Sequence, residues 1–240
     1  MNLQEAIYKR QSHRDYYPDS LDKETLKAIE EFVSNTKPLY PDIKTTSLIV
    51  GNEKVTNLGM WKAPHYLAIY SEKKEGYLTN VGFIYQQVDL FLQSMELGSV
   101  WIGMGKYRPD KRDIPNDEEF VILLAFGKVK SELYRPLDDF KRKSINEISD
   151  SGSSDLEVAR LAPSSTNSQP WYFLKEDKYY NIYCEKLNFI KRRILGNLNK
   201  IDVGIALAHL YVANNESFEF FKIDNPTELD NYYYVGSFKI

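Results

Sequence analysis

The stretch APSSTNSQPW, residues 162–171, decides how this chain is read. It follows the helical-looking SSDLEVARL and runs into Pro170-Trp171 at the head of an apolar segment, so its side-chain donors and acceptors lie along a loop held at both ends. Ser164, Ser165, Asn167 and Gln169 are more polar groups than a simple turn requires. They suit one wall of a site for a hydrogen-bonding heterocycle with a polyol tail.

Outward from this loop, helices and strands are mixed. Residues 2–10 read as a short helix, and 22–35 as a longer one with Leu26, Ile29, Phe32 and Val33 at helical spacing behind an Asp22 N-cap. TTSLIVG (45–51) and HYLAIYS (65–71) read as strands, and residues 78–99 as a helix whose apolar arc is wide enough for a central, buried position. VWIGMG (100–105) is predicted as a strand entering a glycine-rich bend, and 118–129 as a buried strand.

Beyond a charged stretch at 138–155, read as a linker, come a helix at 155–161, the quoted loop, strands at 171–175 and 179–185, a helix at 201–215, and the strands SFEFFKI and YYYVGSFKI. Without regular strand–helix alternation the class is α+β, divided into a front half spanning residues 1–145 and a shorter back half spanning residues 146–240. The two halves echo each other weakly: NVG at 80–82 and DVG at 202–204 both open apolar helices, and the same offset carries Pro41 onto Pro163.

Composition narrows the function classes. A formal net charge of -3 offers no footprint for nucleic acid, and no apolar run approaches a membrane span, so neither is an expected partner. The charged N-terminus lacks the apolar core of a signal peptide, and the cytoplasm is the expected location. The single Cys184 excludes an internal disulfide, and with only His13, His65 and His209 no metal-ligand cluster is expected.

Two further segments could carry chemistry. In RQSHR, an extended run would turn Arg10, Ser12 and Arg14 to one side, a set that matches the paired acceptors of a phosphate, and would turn His13 away. The alternative is a solvated charged turn. In LGSVWIGMG (97–105), Gly98, Gly103 and Gly105 allow the backbone close to a flat partner, or simply permit a tight helix-to-strand connection.

Taken together, RQSHRDY, LGSVWIGMG and ARLAPSSTNSQPWYF resemble the nitroreductase family of FMN-dependent oxidoreductases, and WKAPHYLAIY and LYRPLDDF extend the resemblance over most of the chain. The order of the motifs departs from the family's pattern, in which the Pro-Ser loop follows soon after the arginine segment. Here NTKPLYPDIKTTSLIV stands in that place, and the loop arrives much later.

Typical members are homodimers with FMN at the subunit interface. The chain is therefore similar to the branch called putative TM nitroreductases, in which one polypeptide imitates the dimer. The resemblance implies a nitroreductase-like fold of mostly antiparallel sheets packed with helices, a monomer or loose dimer, and electron transfer from NADH or NADPH through FMN to a small acceptor such as a nitroaromatic or quinone.

By the same resemblance, Arg10, Ser12, Arg14 and Arg135 contact the phosphate and ribityl chain. Pro163, Ser164, Ser165 and Asn167 form the wall near the ring, with Gln169 and Trp171 locking the loop, and Gly103, Met104 and Gly105 approach the ring system. No side chain is expected to be catalytic, because the flavin carries the chemistry. The histidines and Cys184 are expected to be bystanders. An FMN carrier or sensor without turnover and a non-flavin scaffold are the alternatives.

Overall fold

The computed structural model describes all residues except 57, 58, 60 and 111–113. In chain order the front elements are α1 (Leu3–Ile7), α2 (Lys23–Asn35), β1 (Thr45–Gly51), β2 (Val55–Thr56), β3 (His65–Ser71), α3 (Tyr77–Ser94), β4 (Gly98–Ile102), β5 (Lys106–Tyr107) and β6 (Glu119–Gly127). Then follow α4 (Ile145–Ile148), α5 (Glu157–Arg160), β7 (Trp171–Lys175), β8 (Tyr180–Glu185), α6 (Phe189–Ala213), β9 (Glu219–Phe221) and β10 (Tyr232–Lys239). The class is α+β, as the sequence implies.

Two compact units form. The first holds Met1–Tyr77 and Gln87–Leu137, and the second Leu78–Gln86 with Asp138–Ile240. The first is built on a sheet of order β1-β3-β6-β4, the second on one of order β7-β8-β10-β9, and every neighbouring pair in both is antiparallel. In each, a hairpin-like pair of strands leads into the long helix, and the last strand inserts between the second and third. β2 and β5 form a separate small pair.

β3 is buried along its whole length, so it carries the near-continuous apolar run of a central strand rather than an alternating one. Every residue of α3 from 78 to 90 is buried, including Asn80, Gln86 and Asp89, which confirms the central position read from its wide apolar arc.

Within the second unit, the first turns of α3 cross α6 at closest backbone approach. A Cβ at Gly82 would overlap the Ile201 carbonyl and lie 3.1 Å from Ile205 N. One at Gly204 would overlap the Thr79 carbonyl and lie 2.8 Å from Phe83 N. The two contacts are reciprocal: each glycine meets the residues that correspond, at the offset between the glycines, to those its counterpart meets.

Two expectations are corrected. Residues 138–155 are not a free linker: Ser144 and Glu147 form a capping box that starts α4, Ile148 is fully buried, and Asp150 accepts a hydrogen bond from Lys175 N at 2.9 Å. Short apolar spacing and many charges hid this element. α6 begins at Phe189 rather than 201, with Asn188 capping Lys191 N at 3.0 Å. Its first turns leave Phe189, Ile190 and Ile194 exposed, so no buried stripe announced them. Among the described residues, no helix is long and apolar enough to cross a membrane.

Gly204→Ala should cost at least about 2 kcal/mol, because the added methyl meets backbone that has no rotamer with which to yield. Gly196→Ala in the same helix meets only Arg192 Cγ at 3.4 Å and should be neutral or stabilising by up to about 1 kcal/mol. Urea unfolding of the two variants measures both.

Candidate functional site

In the first unit, the arginine segment leaves α1 and runs beside the start of β4, where Ser12 forms a parallel bridge with Ser99 and His13 N donates to Ser99 O at 3.0 Å. The alternation read from the sequence is present for three residues: Ser12 and Arg14 are exposed and His13 is buried. Arg10 is different. It is 1% exposed, its Nε lies 2.9 Å from Asp89 Oδ2 on α3, and its Nη2 donates to Ser12 Oγ at 3.3 Å.

Asp89 is itself fully buried. It accepts from Ser99 Oγ at 2.6 Å, and Gln93 Nε2 donates to that hydroxyl at 3.0 Å. A buried carboxylate needs such a paired and hydrogen-bonded setting. Sequence reading missed Asp89 because, on a helix buried all round, one polar residue carries no periodic signal. Arg135 reaches the same neighbourhood through its backbone, whose N–H donates to Lys9 O at 3.1 Å. Gly103 and Met104 form an exposed bend after β4, while at Gly105 a Cβ would lie 2.7 Å from Leu123 Cδ1, so packing accounts for that glycine.

In the second unit, the motif loop contains a short 3₁₀ turn at Ser165–Asn167. Thr166, Asn167 and Gln169 have φ of 53, 57 and 48°, left-handed backbone that non-glycine residues adopt only when their surroundings impose it. A set of hydrogen bonds imposes it. Gln169 N donates to Ser164 Oγ at 2.9 Å, Lys143 N donates to Gln169 Oε1 at 2.8 Å, and Lys143 Nζ donates to Gln169 O at 3.1 Å.

Arg142 Nη1 donates to Asn167 Oδ1 at 2.7 Å, and Asn167 Nδ2 donates to Lys141 O at 2.9 Å. From α6, the Asp202 carboxyl accepts Ser165 N at 3.1 and 3.0 Å. Gln169 and the 1% exposed Trp171 therefore hold the loop, the role the resemblance implies for them. Asn167 is also engaged at both ends of its amide. Pro163 is buried, Ser164 and Ser165 are half-buried, and Thr166 is exposed.

Lys141, Arg142, Lys143 and Asp202 were not legible as loop partners. The only available signal was a basic triplet ahead of the helix, and it resembles any solvated charge run. Two buried atoms of the motif, Ser168 Oγ and Trp171 Nε1, have no hydrogen-bond partner among the described residues.

Electrostatics separate the two buried carboxylates. Asp89 has Arg10 beside it, whereas burial pushes Asp202 up to about 8, with the Ser165 N–H acting in the opposite direction. His13 is lowered by burial, against the raising effect of the Leu133 carbonyl. His65 is lowered by burial, and its Nε2 accepts from Leu21 N at 2.9 Å, which makes it the neutral, structural form. His209 is fully buried, with Nδ1 2.9 Å from Val158 O and Nε2 3.1 Å from the Gln86 amide, the satisfied core histidine expected. Burial raises Cys184 to about 12, an inert thiol.

This architecture is that of nitroreductases. A crystal structure described as a putative nitroreductase from Thermotoga maritima superposes with a TM-score of 0.65 at 21% identity, covering 99% of this chain and 92% of that one. A nitroreductase family protein from Clostridium difficile 630 gives 0.49 at 19% identity over 61% of this chain and 96% of that one. A protein described as an FMN-dependent nitroreductase from Clostridium difficile R20291 gives 0.44 at 15% identity over 55% and 92%. No curated protein sequence matches. The family described as "Putative TM nitroreductase" matches residues 2–214, and the chain belongs to it: a nitroreductase-family oxidoreductase.

The buried charges make the site's stability testable. Asp89→Ala strands the Arg10 guanidinium and should cost about 3–5 kcal/mol in urea unfolding, whereas Arg14→Ala on the exposed side should stay within about 0.5 kcal/mol. Asp202 titrates near ~4 in an unfolded chain but holds its proton to about 8 when folded, so between these values the folded state binds more protons. Its contribution to stability therefore declines as pH rises through that window, by at most about 1.4 kcal/mol per pH unit. Asp202→Asn, which does not titrate, should flatten the stability–pH curve between about pH 4 and about pH 8, as chemical denaturation at several pH values will read.

Proposed function

We propose that the chain is an FMN-dependent oxidoreductase that takes electrons from NADH or NADPH and passes them to a small organic acceptor such as a nitroaromatic or quinone. The observation that carries this reading is the motif loop: three of its non-glycine residues adopt left-handed backbone, and two of them, Asn167 and Gln169, are held by Arg142 and Lys143 from outside the motif. Strain maintained at such expense is characteristic of ligand sites. The unpartnered Ser168 Oγ and the exposed Thr166 give the loop hydrogen-bonding capacity that its own fold leaves unused.

The donor chemistry fits the cofactor. In the first unit, Ser12 and Arg14 are exposed and Arg135 is tied to the same segment through Lys9, a hydroxyl and guanidinium set suited to a phosphate and the chain of hydroxyls behind it. Arg10 acts there chiefly as a brace: neutralised by Asp89, it holds Ser12 in place. In the second unit, Pro163, Ser164, Ser165 and Asn167 would present a wall for a ring. The first unit, taken by itself, has the exposed bend at Gly103 and Met104. When bound, FMN would supply the acceptance of hydride from the nicotinamide and the onward transfer of electrons. The protein's role is to bind and orient, with no side chain required as nucleophile or base.

We also propose that one chain takes the place of the family's homodimer. The shared strand order of the two units and the reciprocal glycine crossing support it.

Absorbance spectroscopy tests the assignment. The purified protein should be yellow, carry one FMN per chain, scatter light as a monomer, and bleach anaerobically with NADH or NADPH. Protein that gains no flavin absorbance on adding FMN overturns the reading, and a bound flavin that neither donor bleaches makes it a carrier. Arg14→Ala should lower FMN affinity by about tenfold or more, since a charge-assisted hydrogen bond contributes roughly 1.5–3 kcal/mol, with thermal stability unchanged.

A further inference from the structure

The second unit contains a cavity of about 570 Å³ at the end of β8 and along the first turns of α6, lined by neither the arginine segment nor the motif loop. Its walls include Lys186, Arg192 and Lys200, with Glu185 as the only carboxylate among its lining residues. Among the described residues none of the three cations is in an ion pair, and Lys186 Nζ donates only to the backbone oxygen of Asp230 at 3.1 Å. The cations outnumber Glu185, so the cavity carries an excess of positive charge.

Asn199 lines the same cavity from α6. It is 3% exposed, and its side-chain amide can both donate to and accept from an occupant of the cavity. Tyr233 adds a half-buried aromatic wall.

We propose that this cavity binds a phosphorylated small molecule of nucleotide size. A phosphate accepts from both a guanidinium fork and ammonium groups, and has spare lone pairs for the Asn199 amide. Inorganic phosphate alone would leave most of the volume empty, whereas about 300–1,000 Å³ is the range of sites for cofactor-sized ligands. An aromatic wall beside a cationic one matches a base or similar ring joined to the phosphate. The phosphate could belong to the 2′-phosphorylated nicotinamide donor or to a separate metabolite, and the chemistry of recognition is the same.

Isothermal titration of the intact protein with adenosine 2′,5′-bisphosphate tests the proposal independently of any flavin, whose content is read separately by absorbance. Saturable binding that weakens with salt is expected, along with a loss of affinity of at least about tenfold in the double variant Arg192→Ala/Lys200→Ala. Both side chains are exposed, so that variant should fold as the parent does, and circular dichroism checks it. No saturable binding, or equal binding by the double variant, overturns the proposal. If NADPH but not NADH displaces the bisphosphate, the phosphate is the donor's; if neither does, the ligand is a separate phosphorylated metabolite.

Discussion

The backbone contact between α3 and α6 is the constraint on which the second unit depends. Two helices approach this closely only where neither bears a side chain, and Gly82 and Gly204 provide that at the same crossing. The consequences lie within a turn or two. Asp202 precedes Gly204 by two residues, and its position decides where Ser165 N is held. His209 lies farther along the same helix, where it joins the Gln86 amide of α3 to the Val158 carbonyl of α5. The motif loop thus inherits its placement from a packing contact outside the motif.

That contact also supports the proposal that one chain takes the place of two copies. Sequence similarity between the halves is confined to a few residues, but the strand orders β1-β3-β6-β4 and β7-β8-β10-β9 are the same order written twice. Under that proposal, a crossing in which each glycine meets the other's counterpart residues is a self-complementary contact carried by one chain. The first unit holds the arginine segment, and the second holds the Pro-Ser loop.

The two buried carboxylates show how differently one chemical group can be used. Asp89 is paired with Arg10 and hydrogen-bonded by Ser99, and through these contacts it orders the start of the arginine segment. Asp202 has a backbone N–H and no cation among the causes of its shift, and burial raises it into the neutral range. A group in that state is a neutral acid through most of the physiological range and still accepts the Ser165 N–H. The loop is therefore held by an interaction that needs no charge.

Sequence alone determined the α+β class, most strands to within a residue or two, the buried centre of α3, and the motif segments, because periodicity and turn chemistry are local properties of consecutive residues. It also placed His13 opposite Ser12 and Arg14, since extended backbone alternates whatever surrounds it. Tertiary structure alone decided that Arg10 turns inward to Asp89, that residues 141–143 staple the loop, that 138–155 is packed rather than free, and that α6 begins at Phe189. Each of these depends on partners far apart in the chain, or on an apolar face left in water. Buried pairing is set by which groups folding excludes from solvent together, and no local pattern records that.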